Sequence, residues 1–174
     1  LAIVATVAIV VYQGLEMLPN IGLTMFEGAS SFPLLAIPMF VLAGAIMNTG
    51  GISKRLIAFA SALFGFIRGG LAMINIGVSL FFAEISGSAV ADVAATGSVL
   101  IPAMKKRGYP SPFAAAVTSS SASLAIIIPP SIPMILYGVM SGASIVQLFV
   151  AGIVPGLLGA VGLMALSYYY ARKH

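Results

Sequence analysis

Phe82-Ala83-Glu84-Ile85-Ser86-Gly87-Ser88-Ala89-Val90-Ala91-Asp92 joins two apolar runs, Gly69 to Phe82 and Ala89 to Ile101. Each run is shorter than the roughly 20 residues that a helix needs to cross a bilayer. Two half-length helices around the polar tip Glu84-Ile85-Ser86-Gly87-Ser88 read as a re-entrant hairpin. Backbone that leaves the helix at such depth is tolerated only where protein or a water-filled cavity surrounds it. The stretch therefore predicts an all-α membrane protein with a polar interior.

Composition agrees with that reading. Of 174 residues, 60% are hydrophobic and 7% are charged, whereas about a quarter of a typical soluble domain is charged. Eight cations and four anions cannot keep so much apolar surface hydrated, which excludes a soluble globular protein. The net charge of +4 does not point to nucleic acid, because the cations lie in short clusters with no basic face and no aromatic stacking platform. The absence of cysteine excludes a disulfide framework, a thiolate metal site and thiol redox chemistry. His174, the single histidine, is terminal and is not expected to bind a metal. No Walker, HExxH or GxSxG sequence occurs, so neither a nucleotide site nor a catalytic residue is expected, and the chain reads as a non-enzyme. An intramembrane aspartyl protease would need two facing aspartates, and the chain has only Asp92. The apolar start at Leu1, with no basic segment or cleavage site before it, reads as the cut edge of a longer membrane protein.

Five regions follow. Residues 1–51 hold scaffold-type transmembrane helices: Leu1 to Tyr12, a truncated span, and Phe32 to Thr49, with Pro33 at its entry, Pro38 as a kink and Asn48-Thr49-Gly50-Gly51 as its stop. Residues 52–68 repeat Ile52, Leu56, Phe59, Leu63 and Ile67 at helical spacing between Lys54-Arg55 and Arg68, which suits an arm helix lying along the interface. Residues 69–104 are the hairpin. Residues 105–144 hold a cytoplasmic loop and a spanning helix, Pro112 to Ser141, broken by Ile126-Ile127-Ile128-Pro129-Pro130-Ser131-Ile132-Pro133, because prolines remove backbone donors. Residues 145–174 are a transmembrane helix closed by the aromatic anchor Tyr168-Tyr169-Tyr170 and a basic end. With this threading Lys54, Arg55, Arg68, Lys105, Lys106, Arg107, Arg172 and Lys173 share one side, Glu16 and Glu27 the other, and the positive-inside rule makes the basic side cytoplasmic.

Two acids remain at depth, Glu84 and Asp92. A charged side chain at the bilayer centre costs about 2.5–3.5 kcal/mol on insertion scales, so each needs a cavity, a cation or hydrogen bonds. Asp92 either serves a ligand or holds the hairpin backbone together. Hydroxyls gather in two places: Ser86, Ser88, Thr96 and Ser98 at the hairpin, and Thr118, Ser119, Ser120, Ser121 and Ser123 before the Pro-Pro break. Singly they suit helix packing and bonds back to their own helix. Beside helix breaks, freed carbonyls can coordinate a small hard cation, and N–H groups at half-helix N-termini can face an organic anion. The pairs Gly138/Gly142 and Gly152/Gly156 read as close helix packing.

Gly69-Gly70-Leu71-Ala72, the hairpin sequence from Phe82 to Asp92, Ile101-Pro102-Ala103-Met104 with Gly108-Tyr109, Ile127-Ile128-Pro129-Pro130-Ser131-Ile132, and Leu148-Phe149 to Pro155-Gly156 together resemble the large membrane subunit of TRAP transporters, the tripartite ATP-independent periplasmic transporters. The resemblance covers nearly the whole chain. It implies a sodium-coupled permease of the bacterial inner membrane, working by an elevator mechanism on carboxylates such as C4-dicarboxylates or sialic acids. It implies a periplasmic substrate-binding protein and a small four-helix membrane subunit, separate or fused, as partners, with no cofactor besides Na+. One sodium site would comprise Ser86, Gly87, Ser88, Ile128, Pro129 and Ser131, and the substrate cavity Ser88, Asp92, Ser120, Ser121, Ser123 and Pro130. The family's subunit holds two inverted repeats and this chain resembles one, so the chain alone is not expected to transport. Two positions depart from the family pattern: Glu84 replaces a small residue, and Ala125-Ile126 stands where glycine and proline are common. The competing readings are another ion-coupled anion carrier with the same hairpin logic, and a non-catalytic membrane scaffold, which predicts continuous helices.

Overall fold

Apolar runs without a breaker become helices here, and most stop at a glycine or just ahead of a proline. The computed structural model describes residues 2–67 and 69–173; Leu1, Arg68 and His174, with the expectations attached to them, lie outside the described residues. In chain order the helices are α1 (Ala2–Gln13), α2 (Leu18–Ser30) after a 3-10 turn at Leu15–Met17, α3 (Phe32–Thr49), α4 (Ile52–Phe64), α5 (Gly70–Ser86), α6 (Ala89–Lys106), α7 (Ser111–Ala122), α8 (Leu124–Ile127), α9 (Ile132–Ser141) and α10 (Ile145–Lys173). No strand occurs among the described residues. Among the described residues, two stretches, Ser111–Ser141 and Ile145–Lys173, are long and apolar enough to cross a membrane, or three if Leu15–Ser30 with Phe32–Met47 counts as one span.

Contacts divide the chain into one unit through Ala36 and a second from Ile37. The first unit contains α1 and α2. Sequence reading assigns no element between Tyr12 and Phe32, yet α2 forms there with Pro19 in its first turn, where a missing N–H costs nothing. None of the α2 residues is buried, and Leu23, Met25 and Phe26 are exposed.

The second unit is built around α5. Every residue from Ala72 to Ser79 is buried, as befits a helix with neighbours on all sides. On one flank Ala60 of α4 packs with Ile74, Val78, Phe82 and Leu100. The α4 contacts run opposite in sense to α5, with Gly65 near Ile74, Phe64 against Gly77 and Phe59 against Phe81. The stripe read from sequence splits in consequence: Leu56 packs with Ile57, Ala60 and Phe64, while Phe59 and Leu63 remain partly exposed. This helix ends at Phe64, short of the expected Arg68, because Gly65 and the turn after it follow.

On its other sides α5 meets α6 and α7 through Ala72, Ile76, Met104, Ala114 and Val117, and meets α8 and α10 through Ala83, Leu124, Ala125, Ile128 and Ala160. Both hairpin helices are longer than the sequence suggests, 17 and 18 residues, or about 26 Å of rise each. Nothing between Ala83 and Ser86 breaks α5, and α6 runs through Pro102 to Lys106. The turn is therefore Gly87 and Ser88 alone, not the five residues from Glu84.

The break after α8 is narrower than expected too, spanning Ile128 to Ser131, with Ile126 and Ile127 helical before it and Ile132 and Pro133 helical after it. α10 lies against this break through its small residues. A Cβ on Gly152 would collide with the Ile127 carbonyl oxygen, and one on Gly156 with Ile128 Cγ1. Gly142, by contrast, packs against nothing and caps α9 with a φ of 72°.

Gly152→Ala should therefore force apart α10 and the backbone at Ile127, costing about 1–3 kcal/mol. The check is the thermal unfolding midpoint of the complete permease in detergent, expected to fall by several degrees. Gly162→Ala, whose added methyl meets nothing within 4 Å, should leave it unchanged or higher.

Candidate functional site at the hairpin tip and helix break

Gly87 closes α5 with φ 58°, a left-handed conformation that glycine adopts without strain. Its second role is spatial. A Cβ there would stand 2.7 Å from the Pro130 carbonyl oxygen, so only a glycine lets the tip approach the break this closely. The contact is sealed by a backbone hydrogen bond, with Ile132 N–H donating to the Gly87 carbonyl at 3.3 Å. Pro129–Pro130 is cis.

Two serines organise the helices that leave this junction. Ser88 caps α6, its hydroxyl accepting from Ala91 N–H at 3.4 Å. Ser131, fully buried, caps α9 by accepting from Met134 N–H at 3.4 Å and donates to the Ile126 carbonyl at 2.7 Å. Serine is a preferred N-cap because its oxygen satisfies one of the orphan donors. The junction thus collects the C-terminal ends of α5 and α8, which present carbonyls, and the N-terminal ends of α6 and α9, which present N–H groups. Oxygens suit a hard cation and helix N-termini an anion.

Asp92, in the first turn of α6, is completely buried. The Ser86 hydroxyl donates to its Oδ1 at 2.5 Å. The same Ser86 oxygen accepts from Ser88 N–H at 3.2 Å, so the tip's two serines and the carboxyl form one cluster. Oδ2 of Asp92 is buried with no hydrogen-bond partner. Thr96 donates to the Asp92 carbonyl at 2.7 Å, binding back to its own helix. Beside this cluster a hollow of about 540 Å³ opens toward α3, with Phe40, Gly44 and Ala45 facing Ser86, Ser88 and Asp92.

The remaining expected residues lie elsewhere. Ser121 is buried and shares a 2.9 Å hydrogen bond with Ser79. Ser120 is exposed and faces a different hollow, beside Phe113 and Leu163. Ser123 is exposed and donates to the Ser120 carbonyl at 2.6 Å. The hydroxyl cluster ahead of the break thus does not join the tip, because α7 turns these positions toward different neighbours. Glu84 also points away from Asp92: it is exposed and borders a hollow of about 290 Å³ with Leu80, Pro129 and Ile153.

Sequence reading overlooks a polar ladder behind the site. Asn75, fully buried, donates to Thr118 Oγ1 at 2.7 Å, and one turn on Ser79 meets Ser121. Asn75, Ser79 and Ser86 recur at helical spacing on α5, and that periodicity was the available signal. Oδ1 of Asn75 has no hydrogen-bond partner.

Fold and site together define a helical membrane protein in which a hairpin tip is bonded to a broken helix. The family model for the tripartite ATP-independent periplasmic transporter, DctM component, matches residues 1–174, and the chain belongs to that family. The isethionate TRAP transporter permease protein DctMQ of Oleidesulfovibrio alaskensis is 46% identical over 169 residues, covering 97% of this chain and 27% of that protein. The C4-dicarboxylate TRAP transporter large permease protein DctM of Pseudomonas aeruginosa is 46% identical, over 88% of this chain and 36% of its own length. The sialic acid TRAP transporter large permease protein SiaM of Vibrio cholerae is 44% identical, over 86% and 35% respectively. The chain spans about a quarter to a third of the length of these curated relatives.

Removing the Ser86 hydroxyl leaves the buried Asp92 carboxyl without that donor, at a cost of about 1–3 kcal/mol. Ser86→Ala and Asp92→Ala should each lower the unfolding midpoint of the complete permease. The double variant should lose clearly less than the sum, since partners in direct contact are not additive.

Proposed function

We propose that this chain is the part of a sodium-coupled secondary transporter that holds one half of its binding site, and that the whole protein imports organic acids delivered by a periplasmic binding protein. The observation that carries the reading is the docking of Gly87 onto Pro130 and Ile132. It brings two helix C-termini and two capped helix N-termini to one point inside the protein, a pairing suited to co-transport of a small cation with an anion. Na+ would be held by oxygens from Ser86, Gly87, Ser88, Ile128, Pro129 and Ser131. The substrate's anionic group would lie near Ser88, Asp92 and Pro130 in the hollow beside α3, facing the rest of the permease. Ser121 serves helix packing in this scheme, while Ser120 and Ser123 remain available to other parts of the protein. The substrates named for the relatives, isethionate, C4-dicarboxylate and sialic acid, share a compact anionic oxygen group.

The hairpin α5–α6 is re-entrant in this reading, and α4 is the arm that links it to α3. Helices of 17 and 18 residues do not decide their course by length alone. The reading rests instead on the buried Asp92 and on the basic residues at the hairpin's base, which the positive-inside rule assigns to the cytoplasm. An elevator displacement of the hairpin with the broken helix, a small four-helix membrane subunit as partner and residence in the bacterial inner membrane complete the proposal.

In proteoliposomes containing the complete subunits and the binding protein, uptake of the carboxylate should require an inward sodium gradient. Uptake indifferent to that gradient overturns the coupling. Gly87→Ala and Ser131→Ala should each reduce uptake at least about tenfold, the effect of about 1.4 kcal/mol at the site. Sidedness tests the hairpin's return to its own side: cysteines replacing Phe66 and Lys105 should react with an impermeant reagent from the same face of the membrane, and reaction from opposite faces overturns that return and with it re-entrance.

A further inference from the structure

The end of the second unit remote from Asp92 concentrates positive charge around a further hollow. This hollow, about 290 Å³, is lined by Arg107, Tyr109, Pro110 and Tyr170 together with backbone at Gly69 and Gly108. Lys105 and Lys106 end α6 immediately before it, and Arg172 and Lys173 end α10 immediately after Ala171. All five cations are exposed. Gly69, ahead of α5, packs on α10, where a Cβ would stand 2.8 Å from Ala171 Cβ, and Phe113 of α7 bridges the ends of α6 and α10, stacking between Tyr109 at 6.0 Å and Tyr170 at 4.4 Å.

From Ile37 onward the only acids are Glu84 and Asp92, and each lies about 20 Å along α5 or α6 from this end. The C-terminal end of α6 contributes only about half a negative charge. Five cations therefore leave the hollow strongly positive. Beside it, Tyr168, Tyr169 and Tyr170 are of the type that sits at headgroup depth, and α10 leads away with Leu166, Val161 and Leu158 exposed.

We propose that this hollow binds the phosphate headgroup of an anionic phospholipid, with Arg107, Arg172 and Lys173 as its cationic contacts and the acyl chains lying along the apolar flank of α10. Guanidinium groups match phosphate oxygens geometrically, and basic pockets between transmembrane helices are recognised lipid-headgroup sites. A free phosphate would satisfy the same cations but would gain nothing from α10. A lipid seated here would bridge α10 and the hairpin's base.

The complete permease, purified in neutral detergent, would be titrated with phosphatidylglycerol, phosphatidylcholine or inorganic phosphate and read by native mass spectrometry. Phosphatidylglycerol should be retained in preference to phosphatidylcholine. The double variant Arg107→Gln/Lys173→Gln should weaken that retention about thirtyfold, the loss expected for two interfacial cations. Lys54→Gln/Arg55→Gln removes the same charge from α4 and should leave retention unchanged. Equal losses in both double variants would mean diffuse surface charge and overturn the proposal, as would displacement of the lipid by inorganic phosphate without preference between lipids. Should the first double variant fold poorly, Arg107→Gln alone carries the test, with an expected loss of about fivefold.

Discussion

Backbone that leaves a helix deep in an apolar protein must find hydrogen-bond partners within the protein, since hydrocarbon offers none. This chain does so twice, at Gly87-Ser88 and at Ile128 to Ser131, and it solves both problems at one place. The Gly87 carbonyl receives the Ile132 N–H, and Ser88 and Ser131 each satisfy a donor in the first turn of the helix they begin. Neither interruption could be moved without exposing polar backbone at the other. The carbonyl-rich and N–H-rich helix ends on which the proposed transport depends are gathered by the same bond.

Around that junction the structure alternates two kinds of contact. Polar side chains join α5 to α7, Asn75 with Thr118 and Ser79 with Ser121, where each hydroxyl or amide also satisfies a group that hydrocarbon would leave bare. Small residues join α10 to the break, with Gly152 and Gly156 against Ile127 and Ile128. The first kind fixes the register between two helices, because hydrogen bonds tolerate little sliding. The second sets how closely α10 can approach. Both kinds keep α5 enclosed, which in turn keeps Asp92 and Ser131 away from lipid.

Much of this was legible residue by residue. Phe32 to Thr49 reads as one helix because nothing within it except Pro38 disturbs the apolar run, and the structure has that helix with the same ends. Ile145 begins α10 as expected, but the helix runs on past Tyr170 to Lys173, since polar residues end hydrophobicity without ending helicity. The same confusion explains the hairpin tip. Glu84, Ile85 and Ser86 read as a polar loop, but they continue α5 until Gly87 forces the turn. The serines near the break were harder still. Ser120, Ser121 and Ser123 are close in sequence, yet they face three different surroundings, because successive helical residues are turned about 100° apart.

By itself the sequence determined that the chain is helical, that it belongs in a membrane, and that a glycine-serine tip and a Pro-Pro segment interrupt its helices, though not the residues at which each interruption starts and stops. Composition, breaker residues and local spacing are enough for that, because each acts within a few residues. Only the tertiary structure decided that the two interruptions bond to each other, that the Ser86 hydroxyl meets Asp92, and that Ser121 belongs to the packing of α5 on α7. Those pairings join residues 6 to 45 positions apart. They are settled by how whole helices pack, and packing depends on shapes and distances that no local pattern encodes.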